Sequence, residues 1–346
     1  MAEQAYRPGI RGVAAHVGMS VSTVSRALNG YSDVSSDTRR KVERAAGELG
    51  YRASFAASSL RTQNTQTVTF MVSKPWTKFV DPFFLGLLDG VELALQAQGY
   101  ALQVVMAREY EKEFEMIRSA VERNRCDGLL FGRTRPVDER IEWLQDRAFP
   151  FVTVGRTDKA DHDWVEVDHY KIGYQATERL IRLGHDRIAH LTTPLRYTYS
   201  NHTLQGYRDA LHAHGLSRDP ELEAECYLSR RTGADAMTEL IARGVGPTAV
   251  FCGNDMIAVS AMESMRRFGI RPGTDVAVIG CDDIPVAAYV TPGLTTFRQD
   301  LDSLGMRLGR MMVARLRGDP GPHQELIEAE LIPRGTDVPP AAGVAK

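Results

Sequence analysis

The chain has 346 residues, of which 43% are hydrophobic, and it carries a formal net charge of −2. That length exceeds one typical domain and predicts two or three, each with enough apolar side chains for its own core. It contains no charged-then-apolar leader and no run of 18 apolar residues. We therefore expect a cytoplasmic protein that makes no membrane contact.

The charge is distributed unevenly along the chain. Residues 1–62 hold nine Lys or Arg against five Asp or Glu, whereas the remainder holds 33 against 39. A small basic segment on an acidic body is typical of a nucleic-acid-binding module joined to a domain that does not bind nucleic acid. The cysteines are widely spaced, with no C-x-x-C pair, and predict buried thiols in a reducing compartment, with no metal site and no cofactor. They are Cys126, Cys226, Cys252 and Cys281.

The first predicted elements are two short helices, the first over 9–16 and the second within 19–30, joined by a tight turn at Gly18. This arrangement is typical of a helix-turn-helix, whose second helix fits the DNA major groove. The alternative is a solvated helix pair that is merely rich in serine. The positions expected to pack the helices together are Val13, Val17, Val24 and Leu28. The other face offers donors for phosphates and base edges, namely Ser20, Ser22, Thr23, Ser25 and Arg26.

A third helix and a linker complete the first segment. Ser35 is a suitable cap for a helix that reaches about Leu49, and Gly50 suits the left-handed position after it. Residues 52–65 contain few large apolar side chains. We interpret them as a hinge poised between coil and about two turns of helix, which are only marginally stable alone in water. A plain linker is the alternative.

From residue 66 the chain alternates short apolar runs with helical stretches. Strands are predicted at 68–72, 102–106, 128–131, 151–154, 188–191, 249–252 and 276–279, and helices at 83–98, 114–123, 172–183 and 256–268. This rhythm predicts an α/β class, with doubly wound parallel sheets in two similar subdomains after an all-α headpiece. In such folds ligands bind beyond the carboxyl ends of the strands. The predicted domains are 1–51, 52–65, 66–336 and a flexible tail at 337–346, with passages between subdomains near 160–168, 282–293 and 318–325.

The chain resembles the lactose-repressor/galactose-repressor family of bacterial transcription regulators. Residues 20–30 carry the motif Ser-x-x-Thr-Val-Ser-Arg-x-Leu-Asn-Gly, and further matches stand at 48–51, 59–62, 81–84, 126–128, 253–255 and 294–296. The resemblance covers residues 10–334. It implies a homodimeric repressor with a body like the periplasmic sugar-binding proteins (type I). In that family a small-molecule effector between the subdomains changes the affinity for double-stranded operator DNA.

The resemblance also implies roles for individual headpiece residues. Val21 and Ser22 match base-reading positions, and Arg26 is the third, since arginine can bond a guanine bidentately. Leu60 matches the leucine that wedges into the minor groove at the operator centre. Packing or helix capping is the alternative for Val21, and packing on the body is the alternative for Leu60. The residues assigned to phosphates are Ser20, Thr23, Ser25 and Asn29.

Effector contacts are expected at the ends of the predicted strands. Asp282 follows the strand at 276–279, and a carboxylate there can accept two hydroxyl hydrogen bonds from a vicinal diol. The other expected contacts are Asn254, Arg156, Phe84 beside Phe83, and the loop residues Tyr197 and Tyr199. A core position is the alternative for each aromatic residue. Asp283 is read as either a second ligand or a helix cap.

Two departures from the family pattern bear on function. The hinge has Ala53, Ser54 and Ser58 where Pro, Asn and Arg are usual, which removes a phosphate-seeking charge. Thr203 stands where many relatives have an effector-binding arginine, which favours a neutral effector. We therefore predict a repressor of carbohydrate-uptake or catabolism genes that responds to a small neutral sugar, with an α-glucoside preferred, and leave open whether the sugar releases or strengthens DNA binding.

The alternatives are a purine- or other metabolite-responsive repressor and a solute-binding protein without gene control. A solute-binding protein accounts for the body but not for the basic helix-turn-helix. We expect no enzyme, because no G-x-S-x-G, phosphate-binding glycine loop or H-E-x-x-H motif occurs.

Overall fold

The computed structural model describes residues 9–28, 30–51, 64–73, 82–107, 110–159, 161–227 and 232–341. The chain divides into two compact units, Met1–Thr65 and Gln66–Lys346. The predicted α/β class with an all-α start is confirmed.

The first unit contains three helices, α1 (Ile10–Val17), α2 (Val21–Leu28) and α3 (Ser36–Glu48). Gly18 closes α1 with a left-handed φ of 69°, as the tight turn predicts. The Ser35 hydroxyl accepts a hydrogen bond from the Thr38 amide at 3.2 Å and so caps α3, which confirms the expected helix start. The three helices share one small apolar core, formed by Val13, Ala14, Val17, Val24, Ala27, Val42, Ala45 and Ala46.

The second unit contains nine further helices and twelve strands among the described residues. The helices are α4 (Pro82–Gln96), α5 (Tyr110–Glu122), α6 (Glu139–Gln145), α7 (His169–Arg182), α8 (Thr198–Ala213), α9 (Gly233–Ala242), α10 (Asp255–Arg267), α11 (Pro285–Tyr289) and α12 (Leu301–Leu316). The first six strands are β1 (Thr67–Ser73), β2 (Ala101–Ala107), β3 (Gly128–Gly132), β4 (Phe151–Val154), β5 (Trp164–Val167) and β6 (Ile188–Thr192). The others are β7 (Glu223–Glu225), β8 (Ala249–Cys252), β9 (Ala277–Ile279), β10 (Thr296–Arg298), β11 (Gln324–Ile327) and β12 (Glu330–Ile332). Within the described ranges, no helix combines the length and the apolar character needed to cross a bilayer.

The strands build two parallel sheets, one in each subdomain. The first has six strands in the order β11-β5-β4-β3-β1-β2, and the second has four in the order β7-β6-β8-β9. Strands β10 and β12 form a separate antiparallel pair. One apolar cluster includes side chains from both parallel sheets, such as Phe70 of β1 and Phe251 of β8. All seven predicted strands are present.

The chain passes between the subdomains three times. The first passage follows β5, because β5 lies in the first sheet and α7 packs in the second subdomain. The second lies between β10 and α12, later than the predicted 282–293, because Leu294 is still part of the apolar core of the second subdomain. The third lies between β11 and β12, later than the predicted 318–325, because β11 still pairs with β5.

Helices α7 and α8 cross at unusually close range. A Cβ atom at Gly173 would lie 2.1 Å from the Thr203 carbonyl oxygen, and one at Gly206 would lie 2.1 Å from the Tyr170 carbonyl oxygen. Both positions therefore require glycine. The crossing fixes the first turns of α8, which begin at the carboxyl edge of the second sheet.

The prediction of a flexible tail over residues 337–346 is wrong for Asp337 and Val338. Asp337 forms an ion pair with Arg179 and accepts a hydrogen bond from Thr295 at 2.5 Å. The Val338 carbonyl oxygen lies 2.8 Å from Nε2 of His185. These polar contacts hold the start of the tail against the second subdomain, where the proline-rich composition had predicted none.

A histidine in the centre of β6 lies in the core of the second subdomain. The His190 ring stacks on Phe251 and Tyr207 with centroid distances of 4.8 and 5.2 Å, and its Nδ1 donates to the Phe251 carbonyl at 3.1 Å. Burial lowers the pKa of His190 to about 4. The folded protein therefore binds the proton more weakly than the unfolded chain does.

This depressed pKa predicts an acid-sensitive core. The contribution of His190 is complete above its ordinary pKa of 6.5 and is lost as the pH falls toward 4. Between pH 8 and pH 5, the unfolding free energy of the wild type should fall by about 2 kcal/mol more than that of His190→Phe. Chemical denaturation at the two pH values measures this difference. Ile188→Val, a core change in the same strand without an ionisable group, should show the wild-type pH dependence. Equal losses in the wild type and His190→Phe would contradict the prediction.

Candidate functional site

The exposed face of α2 carries the residues predicted to read bases. Val21, Ser22 and Arg26 are exposed, whereas Val24 and Ala27 on the opposite face are buried. This arrangement follows from the helical repeat, since positions 21, 22 and 26 lie on one side. The Val21 side chain keeps 41% of its surface exposed, which argues against the packing alternative.

Two of the residues assigned to phosphates also shape the start of α2. The Ser20 hydroxyl accepts a hydrogen bond from the Thr23 amide at 3.0 Å and contacts the Thr23 hydroxyl at 2.8 Å. Ser20 is therefore the cap of α2, a structural role that the sequence analysis did not assign. Ser25 is half-buried on the same helix. Asn29 and Leu60, and nearly all of the predicted hinge, lie outside the described residues.

Arg26 has two neighbours in the turn between α2 and α3. Its guanidinium forms an ion pair with Asp33 through Nη2, and it lies over the Tyr31 ring, 5.3 Å from the centroid. Sequence reasoning missed Asp33 because nothing in the spacing places it against α2.

In the second unit, the carboxyl edges of the two sheets meet. The Thr134 carbonyl, after β3, accepts a hydrogen bond at 2.9 Å from the Thr198 amide at the start of α8. The Thr134 hydroxyl donates to the Arg156 carbonyl, after β4, at 2.8 Å. Loops from both subdomains therefore line one cleft.

A buried carboxylate bridges the two sides of this cleft. Glu166 of β5 is 2% exposed, and its Oε1 lies 3.2 Å from Nδ1 of His202 on α8. Its Oε2 accepts from the Arg156 amide at 3.0 Å and lies 3.3 Å from the Arg156 Nε. Burial opposes ionisation, but the hydrogen bond from His202 and the nearby positive charges outweigh it and lower the pKa of Glu166. The cleft thus holds an ionised acceptor, and Arg156 binds this carboxylate.

Aromatic rings at the starts of α7 and α8 contact one another. The Tyr197 and Tyr199 rings stack with centroids 5.7 Å apart, and the His169 ring lies 5.2 Å from Tyr199. The expected loop position holds for Tyr197, the residue before α8, and is wrong for Tyr199, which is in the first turn of that helix. The surrounding protein desolvates His169 and lowers its pKa to about 4.

Asp282 lies beyond β9, as predicted, and is half-buried. Its Oδ1 accepts a hydrogen bond at 2.6 Å from Gln299, which sequence reasoning missed. Asp283 is neither a helix cap nor an open ligand. It forms ion pairs with Arg298 and Arg334, and its backbone has a left-handed φ of 52°.

Two other predicted residues have structural roles. Asn254 caps α10, since its Oδ1 accepts a hydrogen bond from the Ile257 amide at 2.8 Å. Phe84 is 5% exposed and packs edge-on against Phe70 and Phe83, so the core alternative describes it better than an effector wall. The half-buried Asn254 amide stays near the cleft.

A fully buried aspartate supports the loop that carries Asp282. Asp255 accepts hydrogen bonds from the Ile284 amide at 2.9 Å and from the Thr296 hydroxyl at 2.6 Å. Burial raises the pKa of Asp255 to about 7. Sequence reasoning passed over it because a carboxylate at a helix start ordinarily lies in solvent.

A buried charge cluster holds the loop between β3 and α6. Arg140 is fully buried and binds Glu113 at 2.6 Å and both carboxylate oxygens of Asp138 at 2.9 and 2.6 Å. It also donates to the carbonyls of Gly132 and Arg133. Burial alone would raise the pKa of Asp138, but the hydrogen bonds and charge of Arg140 hold it below its ordinary value. Arg140 thereby fixes the loop that contains Thr134.

Comparison with known proteins shows the family of this chain. A family model described as bacterial regulatory proteins of the lacI family matches residues 9–54, and one described as a periplasmic binding protein-like domain matches residues 177–336. The transcriptional regulator CelR of Thermobifida fusca is 35% identical over 321 residues, which cover 92% of this chain and 94% of that protein. The chain belongs to the LacI family. This member is a DNA-binding transcriptional regulator, as the resemblance predicted.

Two solved structures of LacI-family proteins share the fold. The CelR–cellobiose complex aligns with a TM-score of 0.74 and 33% identity, covering 95% of this chain and all of that one. The lac repressor dimer bound to operator and the anti-inducer ONPF aligns with a TM-score of 0.82 and 25% identity, covering 96% of this chain and all of that one.

The buried cluster around Arg140 predicts that the unfolding free energy depends strongly on this one guanidinium. Arg140→Met leaves two buried carboxylates without their shared partner and should lower the unfolding free energy by about 3–5 kcal/mol. Denaturant titration measures the loss. Arg147→Met, on the exposed end of the same segment, is the matched control and should cost less than about 1 kcal/mol. Similar losses in the two variants would show that the buried Arg140 stabilises the fold no more than an exposed arginine does.

Proposed function

We propose that this LacI-family regulator is a homodimeric, cytoplasmic repressor whose affinity for operator DNA changes when a neutral sugar binds between the two subdomains of its body. The observation that carries the proposal is the bridge formed by Glu166, which takes hydrogen bonds from Arg156 on one side of the cleft and His202 on the other. A ligand that competes for these hydrogen bonds changes how the subdomains hold each other.

The headpiece supports the DNA-binding part of the proposal. Val21, Ser22 and Arg26 form one exposed face on a helix of suitable size for the major groove. Ser25 and Thr23 flank this face as donors to phosphates. Beyond the described residues, we assign Asn29 to phosphates and Leu60 to the minor-groove wedge.

Exposed apolar side chains support a homodimer. The Tyr289 side chain is 84% exposed, and Phe268 and Met256 are exposed on the same subdomain. On the other subdomain, Val104 and Met106 are exposed on the edge strand β2. Large apolar groups left in water favour association, and the lac repressor of similar fold is described as a dimer.

The chemistry of the cleft favours a sugar. Glu166 and Asp282 are acceptors for hydroxyl groups, and the half-buried Tyr199 offers a ring for the apolar side of a pyranose. Tyr197 is buried and its ring contacts Tyr199 and the Arg196 guanidinium, so it supports the Tyr199 ring. Thr203, in the position of the effector-binding arginine, is buried and donates to the Tyr199 carbonyl at 2.9 Å, so it supplies no cation for an anionic ligand. The similar CelR structure is a complex with cellobiose. We therefore assign the effector to glucose disaccharides, with β-linked cellobiose ahead of the α-glucosides that the sequence analysis preferred.

Calorimetric titration of the full-length protein tests this assignment. The ligands are cellobiose, maltose, ribose and hypoxanthine. We expect a disaccharide to bind and Asp282→Asn to weaken it at least about tenfold, because a hydroxyl loses a charged acceptor. Asp275→Asn changes charge equally in the turn before β9 and should bind like the wild type.

Tight hypoxanthine binding with no response to either disaccharide would contradict the sugar assignment and favour a purine-responsive regulator. Equal effects of the two Asn variants would contradict the role of Asp282.

A further inference from the structure

The turn after the recognition helix forms a holder for Arg26. We propose that Asp33, together with the Tyr31 ring, orients the Arg26 guanidinium toward one guanine of each operator half-site, which makes Asp33 a positioning residue for DNA specificity. This inference rests on the proposed operator binding. The supporting geometry is the Arg26–Asp33 ion pair and the stacking of Arg26 over Tyr31 at 5.3 Å.

The backbone of this turn is tied to both neighbouring helices. The Tyr31 amide donates to the Arg26 carbonyl at 3.2 Å, which attaches the turn to the last turn of α2. The Tyr31 carbonyl accepts from the Arg39 Nη2 at 3.0 Å and from the Val34 amide at 3.2 Å, which attaches it to α3. The ring and the carboxylate therefore hold fixed positions relative to the base-reading face.

An oriented arginine is worth more to recognition than a free one. A long exposed side chain loses rotamer entropy when it docks on a base, and a pre-set rotamer loses less. The guanidinium carries five N–H donors, and the ion pair engages Nη2, so donors are left for the O6 and N7 acceptors of a guanine. The Arg26 guanidinium can thus bind the Asp33 carboxylate and a guanine at the same time.

The charge of Asp33 points to specificity and not to stability or overall affinity. The side chains of Arg26 and Asp33 are 49% and 53% exposed, and ion pairs this exposed stabilise a fold little. A carboxylate near the DNA repels phosphates and weakens binding to any sequence. The Asp33 carboxylate therefore benefits DNA recognition only if it increases discrimination between bases.

The experiment begins with selection of binding sites by the full-length protein from duplexes with a randomised 20-base-pair centre. Each selected guanine is then replaced by 7-deazaguanine, which lacks the N7 acceptor. At the guanine read by Arg26, the wild type should lose affinity about tenfold. The Arg26→Ala variant identifies this position, because the affinity of that variant does not change when the guanine that Arg26 reads is replaced.

The decisive variants are Asp33→Asn and its matched control Asp37→Asn. Asp37 is exposed on α3 and paired with Arg40, so the control makes the same charge change away from Arg26. Both variants should bind random DNA more tightly than the wild type. Only Asp33→Asn should reduce the 7-deazaguanine effect to about twofold or less, and Asp33→Glu should restore part of it. In an Arg26→Ala background, Asp33→Asn should change discrimination no further.

The possible outcomes distinguish a failure of the Asp33 positioning role from a failure of the proposed operator binding. A wild-type discrimination retained in Asp33→Asn, or lost equally in Asp37→Asn, overturns the positioning role and leaves operator binding intact. Selection of no sequence by the wild type overturns the proposed function, and this inference with it. Thermal melting of each variant identifies any loss of fold, and Asp33→Glu then decides whether the carboxylate is the active group.

Discussion

The body of this regulator depends on one constraint, which is that the carboxyl edges of two parallel sheets are held face to face by three passages of a single chain. Parallel strands deliver their following loops to one edge. Two such edges in contact place Thr134 of one subdomain, which also binds the Arg156 carbonyl, against Thr198 of the other. Several polar groups of the cleft are a consequence of this topology, since Thr134, Arg156 and Asp282 each follow a largely apolar strand.

The interactions across the cleft are of a kind that a ligand can replace. An apolar seam between the subdomains would be stable but could not exchange with hydroxyl groups. The buried Glu166 carboxylate instead holds Arg156 and His202 through hydrogen bonds, and the hydroxyl groups of a sugar can form hydrogen bonds to the same partners in exchange. Two arrangements of the subdomains can then lie close in free energy, which is what a ligand-operated switch requires. The fixed parts, Arg140 beneath one wall and Asp255 beneath the other, keep the loops in place.

The sequence predicted seven strands because most of them are short and largely apolar runs, which is the pattern of strands covered on both faces. It missed β5, since Glu166 interrupts a run of only four residues, and with it the central acceptor of the cleft. A carboxylate within a short apolar run is itself a signal of a buried site. Tyr199 was misplaced because its helix begins with polar residues, and the caps at Ser20 and Asn254 were read as ligand contacts. The contact between Asp33 and Arg26 could not be predicted from the sequence, because it depends on the geometry of the turn.

In the proposed regulator, sugar binding in the cleft and DNA binding by the headpiece are linked, and such linkage is reciprocal. The most direct measurement compares two ratios on the same full-length protein: the change in operator affinity at saturating disaccharide, and the change in disaccharide affinity at saturating operator. The two factors should be equal, at about 5–150-fold. A disaccharide that binds with the same affinity in the presence and absence of operator would contradict it.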